Sequence, residues 1–160
     1  MTEFWFGETS SEEETHALAA ALAEELLPGD VLALDGPLGV GKTTFARGIC
    51  EALGVPREAG FSSPTYALVN LYEGGRHAVA HCDLYRLESA DDLEGLGFRD
   101  LLEGPWVVLV EWPERVPEVL ADATVRVSIT DRGPEKRAFR LWATVPARWK
   151  MSGLQRMEAD

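Results

Sequence analysis

Apolar residues fall along this chain in runs of two kinds. Val31-Leu32-Ala33-Leu34 and Trp106-Val107-Val108-Leu109-Val110 are unbroken, as expected of strands covered on both faces. Leu18, Leu22 and Leu26 recur every fourth residue behind Ser10-x-x-Glu13, which predicts a helix opened by a capping box and closed before Pro28-Gly29-Asp30. Phe4 to Glu8 alternates as a short strand, and Thr44 to Leu53 reads as a second helix stopped at Gly54. Tyr66–Tyr72 and His77–Asp83 form a predicted strand pair around the turn Glu73-Gly74-Gly75-Arg76. Asp91 to Leu102 has helical character interrupted by Gly95 and Gly97, and Ala123–Ile129 with Arg137–Thr144 make a last strand pair around Gly133-Pro134. Helices alternating with strands early and strand pairs late predict a three-layer α/β fold with a mixed, mostly parallel central sheet. Residues 1–160 are expected to form one domain, with 145–160 as a C-terminal extension whose order the residues leave open.

Chemistry enters between the first unbroken run and the second helix. Gly36-Pro37-Leu38-Gly39-Val40-Gly41-Lys42-Thr43 fits G-x-x-x-x-G-K-[ST], and it follows a predicted strand and opens a predicted helix. Glycines there let successive backbone N–H groups turn inward as an anion nest at the positive end of a helix. Lys42 is then placed for the β- and γ-phosphates of a nucleotide, and Thr43 for Mg²⁺, which makes this a P-loop NTPase fold.

Such a loop needs acids to hold the metal and orient water, and two strands end in one. Glu111 follows Val107-Val108-Leu109-Val110, and Asp83 follows Ala78-Val79-Ala80-His81-Cys82. Trp112 comes next to Glu111, at the same end of the sheet. His77, His81 and Asp83 share a strand face at a period of two, but without further Cys/His clustering this favours packing, with His81 orienting Asp83, over a metal site. Arg47, Arg86 and Arg99 are candidates for an electropositive finger, although none occupies a position that marks it as one.

The charge balance limits partners. With 27 acidic residues against 15 basic ones, a net −12, the chain lacks the basic surface by which a protein grips DNA or RNA unaided. Glu12-Glu13-Glu14, the strongest charge run, reads as the solvated first turn of a helix. There is no apolar run of membrane-spanning length and no secretory pattern at Met1-Thr2-Glu3-Phe4-Trp5-Phe6, so a cytoplasmic location and reduced thiols at Cys50 and Cys82 are expected.

Four blocks in order resemble the TsaE (YjeE) family, bacterial ATPases of tRNA threonylcarbamoyladenosine formation. They are Asp35 to Gly48, Ser63-Pro64-Thr65-Tyr66-Ala67-Leu68-Val69, His81-Cys82-Asp83-Leu84-Tyr85-Arg86-Leu87 and Glu111-Trp112-Pro113-Glu114. Pro37 departs from the polar residue usual in that family, and it removes one backbone donor at the start of the loop. The resemblance implies that Gly36 and Gly39, Val40, Gly41 and Lys42 cradle the phosphates of ATP, with Thr44 beside them. It implies Thr43, Glu111 and Asp83 toward Mg²⁺ and water, with Asp83, Glu111 and Lys42 catalytic, Trp112 by the nucleotide, and Ser63 to Thr65 as a γ-phosphate sensor. It further implies TsaD and TsaB as partners, with tRNA reached only through them. A small-molecule kinase and a nucleotide-controlled scaffold share the loop and stand as alternatives. A GTPase does not, since Asn70, the only asparagine, is followed by Leu71 and cannot begin Asn-Lys-x-Asp.

Overall fold

The computed structural model describes residues 1–154. Strands are β1 (Thr2–Thr9), β2 (Val31–Asp35), β3 (Val69–Tyr72), β4 (Ala78–Asp83), β5 (Trp106–Glu111), β6 (Val125–Asp131) and β7 (Arg137–Ala143). Helices are α1 (Glu12–Ala23), α2 (Lys42–Ala52), α3 (Ala90–Gly95), α4 (Phe98–Glu103) and the single turn α5 (Val119–Asp122). The strands form one sheet in the order β1-β7-β6-β2-β5-β4-β3. Its four middle strands, β6, β2, β5 and β4, run parallel; β7 on one side and β3 on the other run opposite to them, and β1, paired antiparallel to β7, runs with the middle four.

The unbroken apolar runs are those of β2 and β5, buried because both faces of the sheet are covered. On one face Leu32, Leu34, Val107 and Leu109 meet Leu18, Leu22, Phe45 and Ile49 of α1 and α2. On the other, Val108 and Val110 meet Leu93, Phe98, Val116 and Val119. Cys50 lies in the first layer and Cys82 in the second, both free and both with thiols pushed up to about 12, chiefly by burial. Among the described residues no helix is long and apolar enough to cross a membrane.

Four boundaries differ from the sequence expectation. The cap of α1 is Ser11 rather than Ser10: the Ser11 hydroxyl accepts from the Glu14 N–H (3.1 Å), and the Glu14 carboxylate accepts from the Ser10 N–H (2.6 Å). The helix also ends at Ala23, well before Pro28, and Leu26 is buried from the following turn. The strand expected from Tyr66 begins at Val69, because Leu68 adopts φ 69° and its N–H donates to the Pro64 carbonyl (2.5 Å) in a tight turn. His77 correspondingly precedes β4.

The segment after β7 is bound to the sheet as far as it is described; residues 155–160 lie outside the described residues. Trp149 and Met151 are buried in the first layer. The Arg148 guanidinium donates to both carboxylate oxygens of the buried Asp30, one at 2.7 Å, and to the Glu25 carbonyl at 2.6 Å. Asp30 also accepts from the Leu27 N–H (2.8 Å) and the Thr124 hydroxyl (3.1 Å). Removing Arg148 leaves that carboxylate under-partnered in a buried place. Arg148→Ala is therefore expected to lower the unfolding free energy by about 2 kcal/mol, measured by urea titration.

Candidate active site

The parallel register brings the ends of three strands to one edge. Leu34, the residue before Asp35 on β2, pairs with Glu111 of β5, and Glu111 pairs with Asp83 of β4. Chain direction is shared, so the loop leaving β2 and both acids emerge together, where open α/β sheets place their sites.

The loop is shaped by left-handed glycines and by contact with the neighbouring hairpin. Gly39 (φ 76°) and Gly41 (φ 112°) turn the chain, and Gly41 caps α2. At Gly36 (φ 150°) a Cβ would lie 2.7 Å from the Ile129 carbonyl oxygen. Val40 is buried, and its carbonyl accepts from Arg137 Nε (2.9 Å), so β7 holds the loop from behind. Pro37 keeps a part in this geometry through its carbonyl, which accepts from the Val40 N–H (3.2 Å) and from Lys42 Nζ (3.1 Å).

Lys42 is 5% exposed. Its ammonium donates to the Gly36 carbonyl (2.5 Å) and stands 3.8 Å from the centroid of the Trp112 ring. Burial lowers its pKa from the usual 10.5, only partly offset by the charges of Glu111, Glu114, Asp83 and Asp35. Trp112 holds its place with a left-handed backbone (φ 58°), unusual for a bulky residue, and packs on Tyr85 with ring centroids 4.9 Å apart.

Thr43 and Glu111 touch. The Thr43 hydroxyl lies 2.9 Å from Glu111 Oε1 and 3.2 Å from Oε2. Asp83 accepts from the Thr65 hydroxyl (3.1 Å) and the Tyr85 N–H (2.9 Å), and Thr65 is 2.8 Å from the Ser63 hydroxyl. Gly39, Gly41, Lys42, Thr43 and Thr44 thus face Ser63, Thr65, Asp83, Glu111 and Trp112 across one cleft of about 260 Å³. Both acids are buried as well as being at strand ends. Arg47, Arg86 and Arg99 do not line that cleft: Arg47 lies over Phe61, Arg86 over Tyr66, and Arg99 pairs with Glu94.

One expected contact is different. His81 does not orient Asp83; its Nε2 is 2.6 Å from Glu111 Oε2, diagonally across the strand pair. Strand periodicity alone gives the face of His81, and only the register with β5 gives its partner. Sequence reasoning also passed over a second cleft of about 270 Å³ behind the loop. It is lined by Ser11, Glu12 and Thr15 of the α1 end, by Gly39, Val40, Gly41 and Thr44, and by Glu135, Arg137 and Phe139. No local motif signals it, because three distant segments build it.

The family model described as threonylcarbamoyl adenosine biosynthesis protein TsaE matches residues 9–139. The chain belongs to the TsaE family. The TsaE of Bacillus subtilis (strain 168) is 38% identical over 135 residues, covering 84% of this chain and 83% of the relative. That of Aquifex aeolicus (strain VF5) is 38% identical over 132 residues, covering 82% and 91%. The crystal structure of YdiB from B. subtilis superposes with a TM-score of 0.69 at 31% identity, over 91% of this chain and 88% of that one. The TsaE match takes in the loop, both acids, Trp112 and Arg137, while the Arg148–Asp30 tie lies partly beyond it.

The lowered pKa of Lys42 has a stability consequence. Between the folded pKa and 10.5 the unfolded chain holds this proton more than the folded one, so stability rises with pH through that window, and below it the buried charge is a full cost. Lys42→Met should remove that rise and leave the nucleotide-free protein at pH 7 no less stable than wild type. A loss exceeding about 1 kcal/mol in urea titrations at pH 7 would show that the carbonyl contacts outweigh desolvation.

Proposed function

We propose that this TsaE-family protein binds ATP with Mg²⁺, hydrolyses it slowly alone, and with TsaD and TsaB supports formation of the threonylcarbamoyl group on adenosine 37 of tRNA. The observation that carries the nucleotide reading is the convergence of Lys42, Thr43, Glu111 and Asp83 on one cleft below the phosphate loop.

Lys42 exchanges the Gly36 and Pro37 carbonyls for β/γ-phosphate oxygens, and its shielded position strengthens that attraction. The loop N–H groups and the start of α2 take the remaining negative charge. Thr43, Glu111 and Asp83 form an all-oxygen donor set suited to a hard divalent cation, with Thr43 and Glu111 already in contact. Mg²⁺ held by these residues would supply positive charge against the phosphates. Asp83, beside Thr65 and the Ser63 hydroxyl, orients the attacking water, and Glu111 fixes the Thr43 hydroxyl. The second cleft shares Thr44 with the first and would receive the nucleoside if Lys42 held the γ-phosphate and Thr44 the α-phosphate.

Slow turnover follows from what lines the cleft. An arginine finger accelerates phosphoryl transfer by roughly 10³–10⁵, and among the described residues no arginine lines the catalytic side. Partners would supply that charge or order the site, and they would hold the tRNA that a chain of net charge −12 does not attract.

Two sets of measurements test this reading. Lys42→Ala is expected to weaken ATP binding by about 10- to 100-fold, as for the loss of a charge-assisted hydrogen bond. Asp83→Asn and Glu111→Gln should keep a native circular dichroism spectrum while phosphate release falls; full partner-dependent activity in either would remove its role. Steady-state phosphate release is expected to rise at least about tenfold when TsaD and TsaB are added. Rates indifferent to the partners, tight tRNA binding by the isolated chain at physiological salt, or label passing to a metabolite instead of water would each defeat the proposal.

A further inference from the structure

His81 is fully buried, and its ring is packed on one face and hydrogen-bonded at one nitrogen. One face stacks on Phe61, with centroids 5.4 Å apart and planes 16° from parallel. Nε2 meets Glu111 Oε2 at 2.6 Å, and among the described residues Nδ1 has no hydrogen-bond partner. A proton on Nδ1 would be a buried donor with no acceptor, whereas a bare lone pair there loses less. This arrangement favours the tautomer in which Nε2–H donates to the carboxylate.

Glu111 is thus held at two points, by the imidazole of β4 and by the hydroxyl of Thr43 at the start of α2. We propose that His81 is a positioning residue, which fixes the Glu111 carboxylate in the orientation that serves the metal side of the nucleotide site. The inference rests on the ATP and Mg²⁺ reading above. His81 does not line the cleft, so its effect passes through Glu111. The placement also joins the two acids, since the strand that presents Asp83 carries, two residues earlier, the group that steadies Glu111. Phe61, which backs the ring, lies in the same connection between α2 and β3 as Ser63 and Thr65. Displacement of that connection would reach both acids, through Thr65 at Asp83 and through the ring at Glu111.

The test uses two replacements. His81→Phe keeps an aromatic ring against Phe61 and removes the donor, while His81→Gln carries an amide N–H toward the Nε2 position. Calorimetric ATP titrations across a Mg²⁺ series should show that His81→Phe needs roughly tenfold more Mg²⁺ for half-maximal binding, as for other supports of metal ligands. Metal-free ATP affinity should stay within about twofold. His81→Gln should restore most of the Mg²⁺ response, and His81→Phe should add nothing in a Glu111→Gln background. An unchanged Mg²⁺ requirement in His81→Phe, or a further full loss in the Glu111→Gln background, would overturn the proposal. Should His81→Phe not fold, nitrogen-15 spectra of the imidazole in the nucleotide-free wild type decide. A protonated Nε2 whose proton resonance moves on Glu111→Gln supports it, and an unprotonated Nε2 overturns it. Wild-type protein that shows no Mg²⁺-dependent ATP binding would instead sink the ATP reading, leaving the spectra to report on the His81–Glu111 bond.

Discussion

Parallel hydrogen bonding of β2 to β5 and of β5 to β4 determines where each acid of the cleft can stand. Had β4 paired with β5 one residue out of step, Asp83 and His81 would face the layer of α3 and α4 instead of α2. In the observed register Glu111 lies level with Asp83 and one position short of the end of β2, so the phosphate loop leaves the sheet beside both carboxylates. The antiparallel additions at either side extend the sheet without disturbing that edge, and β7 contributes Arg137 to hold the loop at Val40.

The groups gathered there are costly to bury separately and less so together. Lys42, His81, Asp83 and Glu111 are all largely removed from water, and each has a polar partner. The partners of Lys42 are neutral carbonyls and an aromatic face, while the carboxylates are satisfied by hydroxyls, a backbone N–H and an imidazole. The ammonium charge therefore remains available to an incoming anion in a medium of low polarity, where electrostatic contacts are strong.

Much of this could be read from residue order. The loop motif located Lys42 and Thr43, and the apolar run from Trp106 gave β5 with its terminal Glu111 at the observed bounds. Those signals are local, carried by a spacing or an uninterrupted run. The features that escaped depend on residues remote in sequence. Strand periodicity ties His81 to its strand-mate Asp83, whereas its real partner is set by pairing with β5. Nothing local to Arg148 signals its role, because Asp30, which binds it, stands beyond the end of another helix.

Cys50 and Cys82 occupy opposite sides of the sheet, one packed with α1 and α2 and the other with α3 and α4. Burial holds both thiols far above neutral pH in their ionisation, so neither reacts as a nucleophile while its layer is closed. The chain consequently carries a built-in pair of reporters. Alkylation of Cys50 clocks the opening of the layer that supports the phosphate loop, and alkylation of Cys82 clocks the opening of the other. The ratio of the two rates separates breathing of one side of the molecule from unfolding of the whole.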